Sequence, residues 1–240
     1  MSKLSHRLSK FLGLRKQNKK RDWQRSYSQE GEDLVLRRFF NDAHLRTGFY
    51  IDVGAHHPTR FSNTKLFYDL GWKGVSIDPR PGFANEFVDC RPRDIAIEAA
   101  IAQHQGEMLY YMFDEPALNG FDAKLSIERN ANSRYKLVDR RSVPVERLDA
   151  LLSKNLVEGQ LVDFMSIDVE GLDLEVLMSN DWDRFRPRFV LVEIFGRWLS
   201  DILSSESAKY LLAQDYAAVS RTRHTVFFED RRTHVASHAA

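Results

Sequence analysis

A single cysteine, Cys90, is all the thiol chemistry that 240 residues contain, which excludes an intrachain disulfide framework and a cysteine-rich zinc site. Such sparse cysteine usage fits a reducing, cytoplasmic setting. No apolar run approaches the ~20 residues that a bilayer-spanning helix needs, and the N-terminus lacks the continuous apolar core of a signal peptide. There is no internal repeat and no low-complexity segment. With 43% hydrophobic and 29% charged residues, the composition excludes collagenous, disordered and transmembrane classes without selecting a function. Excess charge is also missing, since the formal net value is only +1.

That near-neutrality conceals an asymmetry. Lys3, Arg7, Lys10, Arg15, Lys16, Lys19, Lys20, Arg21 and Arg25 face one acid, Asp22, within residues 1–25. The remainder is therefore net negative, which argues against nucleic acid as the main substrate. Within this leader Leu4, Leu8, Phe11 and Leu12 share one helical stripe amid basic residues, the pattern of an interfacial helix on anionic lipid. A disordered basic tail has the same composition, and both readings stay open. Residues 26–240 read as one domain.

Past the leader, Glu32 to Asn41 is expected to be helical. Short apolar runs then alternate with helical patterns: Phe49–Val53, Gly74–Asp78, Asp94–Ala102, Phe164–Asp168 and Phe189–Glu193. Such continuous hydrophobicity is what a parallel strand covered on both faces requires, and the alternation predicts a doubly wound α/β sheet. Ser62 is placed to cap a helix through Leu66, Phe67 and Leu70 that Gly71 ends. A helix over Ala208–Gln214 is followed by two β-like runs, Tyr216–Ser220 and Thr225–Phe228. The short polar turn between them predicts an antiparallel hairpin.

In an open α/β sheet, ligands lie outside the carboxyl ends of the strands. Four of the five runs end there in carboxylates: Asp52, Asp78, Asp168 with Glu170, and Glu193. Acids gathered at one edge repel one another unless a cation or hydrogen-bond donors occupy the space between them. After Asp52, Gly54 and Ala55 permit close backbone approach, but His56, His57, Pro58 and Thr59 replace the further glycines of a dinucleotide fingerprint. Asp78 is suited to both hydroxyls of a ribose. A nucleoside cofactor without pyrophosphate is implied, and S-adenosylmethionine, with its sulfonium charge, meets that description.

The segments Phe49–Ala55, Ser62-Asn63-Thr64, Gly71–Pro79, Val143–Asp149 and Ser166–Asp173 resemble the FkbM methyltransferase family, and Tyr27–Asp33 is similar to a segment preceding the core in many members. The family often has Asn after the Gly-Ala pair; here His56 stands. The resemblance implies a seven-stranded, Rossmann-like class I methyltransferase sheet, mainly parallel, with an antiparallel C-terminal hairpin strand. It implies that Asp52 and Gly54, with Gln29, lie toward the methionine part of the cofactor, that Asp78 holds the ribose, that Glu98 to Ala100 border the adenine, and that Ala55 and Asn63 also belong to the cofactor site. The implied acceptor is a hydroxyl of a sugar, glycolipid, surface polysaccharide or related metabolite.

Deprotonating such a hydroxyl needs a positioned base or a metal. Asp168 and Glu170 are candidate bases, with only one of the two acids facing the methyl group; His56 and His57 are further candidates, of which one is a structural loop histidine. Alternatively Asp168 and Glu193 share a divalent ion such as magnesium. The polar stretch Phe113–Arg134 is either the acceptor pocket or a surface insertion. A nucleotide-using oxidoreductase and a catalytically silent binding module are the competing readings. The basic leader would suit an enzyme held at the inner face of a membrane.

Overall fold

The computed structural model describes residues 24–40 and 47–232, so the leader up to residue 23 lies outside the described residues. Helix α1 (Glu32–Arg37) precedes β1 (Phe49–Val53), α2 (Lys65–Asp69), β2 (Lys73–Ile77), α3 (Phe83–Cys90) and β3 (Ile95–Ile97). Then come β4 (Ala100–Ile101), β5 (Gly106–Phe113), α4 (Ala123–Asn132), β6 (Leu137–Glu146), α5 (Leu148–Asn155) and β7 (Phe164–Ile167). The chain closes with α6 (Asp173–Met178), β8 (Phe189–Glu193), α7 (Leu199–Leu203), α8 (Glu206–Ala213), β9 (Tyr216–Arg221) and β10 (Thr225–Asp230).

Seven strands form one sheet in the order β3-β2-β1-β7-β8-β10-β9. Its first five members are parallel, whereas β10 runs antiparallel to β8 and β9 antiparallel to β10. This is the expected Rossmann-like arrangement with its C-terminal hairpin. Side chains alternate between the two faces, as the period of a strand demands. Ile51, Val53, Met165, Ile167, Val190 and Val192 pack with α5, α6 and α8 on one side. Tyr50, Phe164, Phe189, Leu191 and Phe227 pack with α1 and α2 on the other. Both faces are covered, which explains the unbroken apolar runs.

Two local expectations change. Helix α1 stops at Arg37 rather than Asn41, because the next turn tightens into i→i+3 hydrogen bonds from Arg38, Phe39 and Phe40. That tightening seats the Phe40 ring on Phe67, Trp72 and Phe189. The run Asp94–Ala102 is not one strand: β3 pairs with β2, and β4 leaves to pair with β6 in a second, three-stranded sheet. In that sheet β5 and β6 form a long antiparallel pair, and Phe113–Arg134 is the excursion at its far end.

Helix α2 begins at Lys65, whose N–H reaches the Ser62 hydroxyl at 3.1 Å, and ends just before Gly71 at φ 105°. The C-terminal signal lies where the sequence places it, whereas the N-cap position is Thr64 rather than Ser62, which lies two residues earlier.

Candidate active site

The main sheet switches direction between β1 and β7: from there the strand order runs outward through β2 and β3 on one side and through β8 on the other. The loops that follow β1 and β7 diverge and open a crevice. Gly54, at φ 83°, begins the first of these loops, and an added Cβ would overlap the Asp168 carbonyl oxygen. Glycine thus lets two strand ends meet at the floor of the crevice.

A cavity of about 340 Å³ occupies this place, within the size range of small-molecule sites. Val53, Gly54, Ile77, Ala99, Ala100 and Ile101 supply an apolar wall. Residues Glu115 to Phe121 and Tyr135 supply the facing wall, so the polar excursion after β5 is part of the cavity and not a detached surface insertion. Sequence reasoning left this stretch undivided. Two ion pairs fasten it: Arg60 grips both Glu115 oxygens at 2.8 and 2.9 Å, and Arg129 meets Glu170 at 2.9 Å.

Five acids line the cavity, namely Asp78, Glu115, Asp168, Glu170 and Glu193, against Arg60 as the basic residue. Glu115 and Glu170 are neutralised by the pairs just described. Asp78 is buried and accepts the N–H groups of His56 and Arg80 at 2.9 and 2.8 Å, one on each oxygen. Burial raises its pKa while those two donors oppose the rise. Asp168 and Glu193 remain, at the ends of the adjacent parallel strands β7 and β8.

Asp168 is open to the cavity rather than packed into the core, yet protein surrounds it. That environment lifts its pKa well above the carboxylate range, and the nearby Glu193, Asp173, Glu170 and Asp52 add to the effect. Glu193 is pushed up to about 7, first by burial and then by Glu170, Asp173 and Glu30. Because Glu193 adds to the rise at Asp168, the two carboxylates titrate as a pair rather than independently.

The other expected residues divide between the cavity and its supports. Gln29 and Ala100 line the cavity. Asp52 lies behind the lining, buried in β1, where the Thr64 hydroxyl donates to it at 2.7 Å. Burial pushes Asp52 up to about 6, with Thr64 and Arg91 opposing. Ala55 packs against Phe83 and Phe87, and Asn63 donates its amide to the Ser166 hydroxyl at 3.0 Å. Glu98 is exposed and accepts the Ala84 N–H at 3.1 Å. His57 lies outside the lining: its Nδ1 accepts the N–H groups of Thr59 and Arg60, and its Nε2 meets Glu86 at 3.2 Å. His56 lines the cavity in its place, and burial followed by Arg60 and Arg80 lowers its pKa to about 4.

Among the described residues no group of three or more His, Cys, Asp or Glu side chains is arranged to hold a metal ion. The expected magnesium site would have to rest on Asp168 and Glu193 alone. That donor set does not fit a dedicated metal centre.

The strand order and the crevice at the switch point are those of a Rossmann-like α/β fold. The matched family model gives the class of enzyme. Residues 52–217 match the methyltransferase FkbM domain, so the chain belongs to the FkbM methyltransferase family. No curated protein matches the chain.

Proposed function

We propose that this methyltransferase takes its methyl group from S-adenosylmethionine and passes it to a hydroxyl oxygen of a sugar, glycolipid, surface polysaccharide or related metabolite. The observation that carries the reading is the Asp168–Glu193 pair, two unneutralised carboxylates on a cavity that also holds Gly54 and Asp78. A cationic cofactor relieves their mutual repulsion. Asp78 would hold the ribose on the lone pairs that His56 and Arg80 leave free. Gly54 lets backbone approach the methionine part beside Gln29, with Asp52 behind it. Ile77, Ala99, Ala100 and Ile101 form a slot of small and branched apolar groups that suits a flat adenine.

When bound, the cofactor supplies a methyl group on a sulfonium, which accepts the bonding electron pair as it becomes a neutral thioether. Asp168 and Glu193 handle the proton. A sugar hydroxyl is a poor nucleophile until its proton has somewhere to go, and a base is most effective when its pKa lies near the working pH. With about 7 at Glu193 and a raised Asp168, the pair accepts that proton as the new carbon–oxygen bond forms, then releases it to water. Arg129 keeps Glu170 engaged, which leaves the other two acids free for this role. The Glu115–Phe121 wall would hold the acceptor for in-line transfer.

Incubating the enzyme with methyl-labelled cofactor and a panel of glycans tests the reading. Label on a hydroxyl oxygen supports it. Label confined to nitrogen, or a cofactor that does not bind, overturns it.

A further inference from the structure

The loop that follows Glu193 turns three large apolar side chains outward within five residues. Phe195 is 69% exposed, Trp198 61% and Leu199 61%. None of them lines the cavity, although Glu193, two residues before Phe195, does. Exposed aromatics gathered this closely need an explanation in terms of a partner.

Arginine and histidine side chains lie around them, with Glu30 and Asp201 beside these. The Phe195 ring lies 5.2 Å from the His224 ring, and the Ile194 N–H donates to the His224 carbonyl at 2.8 Å. The loop therefore runs beside the β9–β10 turn, which carries Arg221 and Arg223. The Arg197 guanidinium sits over the Trp198 ring at 5.1 Å. Arg221 donates to the turn's own carbonyls at Thr222 and Arg223 rather than to a carboxylate. Of the neighbouring acids, Glu30 pairs with His224 at 2.7 Å, and Asp201 keeps its charge while accepting the Trp198 N–H at 3.3 Å.

Glu30 and Glu32, a few residues past the leader, are bonded to His224, Thr222 and Thr225, while Tyr27 lies against Ser62 and Lys65.

We propose that the Phe195–Leu199 loop and the Arg221–His224 turn form a docking face for an anionic membrane surface, beside the mouth of the cavity. Tryptophan and phenylalanine settle at the headgroup boundary, and arginines on the same face add attraction to anionic lipid. The leader strengthens the same attachment. This face stands independently of the acceptor assigned above, and it would present the cavity to an acceptor held in the bilayer.

Flotation of the full chain with phosphatidylcholine vesicles, with and without phosphatidylglycerol, tests the face. Binding should require phosphatidylglycerol and fall at high salt. The double variant Phe195→Ser/Trp198→Ser should bind about tenfold more weakly. Arg221→Gln/Arg223→Gln should lose on the order of tenfold or more. Both variants should keep the wild-type affinity for S-adenosylhomocysteine, which checks their fold apart from their membrane binding. Vesicle binding unchanged in both variants overturns the proposal and leaves the leader as the anchor. Absence of vesicle binding, with sedimentation showing a dimer that the aromatic variant dissolves, overturns it in favour of a second copy of this chain.

Discussion

The carbonyl oxygen of Asp168 fills the space that a side chain at Gly54 would need. The two strand ends thereby approach at the floor of the crevice more closely than a residue with a Cβ would allow. Gly54→Ala should cost about 2 kcal/mol or more, through overlap and through the unfavourable positive φ. Chemical denaturation of the variant measures the cost. Stability within experimental error of wild type would mean that the two loops separate freely.

Asp78 makes the second prediction. If its free lone pairs hold the ribose, Asp78→Ala should weaken S-adenosylhomocysteine binding by ~1.5–3 kcal/mol. Calorimetry reads this directly. Unchanged affinity in a folded variant would remove Asp78 from the cofactor site, even though the residue would still support the His56 and Arg80 backbone.

A third prediction follows from the signs of the titrations. Asp52 and Glu193 have folded pKa values of about 6 and about 7, above their ordinary 3.8 and 4.5. Both bind protons more tightly in the folded state, so their contribution favours the fold at low pH and is lost as pH rises through about 6 to 7. A sulfonium favours their ionised forms, whereas a neutral thioether does not. The ratio of S-adenosylmethionine to S-adenosylhomocysteine affinity should therefore increase between pH 5 and pH 8, with proton release on binding the former. A ratio independent of pH would place the sulfonium away from these carboxylates.

Much of this site was legible in the sequence because parallel strands leave local signatures. Runs such as Phe164–Asp168 and Phe189–Glu193 end in acids, and the end of a parallel strand is where a ligand sits. The expected acids Asp78, Asp168, Glu170 and Glu193 accordingly converge on one cavity. What stayed hidden depends on long-range contacts. The Arg60–Glu115 pair joins residues 55 positions apart, and Arg129 reaches Glu170 across 41. Neither spacing has a sequence signature. The second sheet was missed because β5 and β6 mix charged and apolar residues without strict alternation, being covered on only part of each face. His56 and His57 are adjacent and chemically alike, and only the positive φ of His56, at 51°, determines which one faces the cavity. Along Asp94–Ala102 nothing local marks the point where the chain changes sheets.

The central claim is that Asp168 and Glu193 take the acceptor's proton, and single-turnover methyl transfer by Asp168→Asn tests it most directly. The substitution nearly preserves shape and removes proton acceptance. The rate should fall by ~10²–10⁴-fold, while S-adenosylhomocysteine affinity stays within a few-fold of wild type and a chelator leaves wild-type activity intact. Near-normal turnover by Asp168→Asn, or wild-type activity abolished by the chelator, would contradict the account.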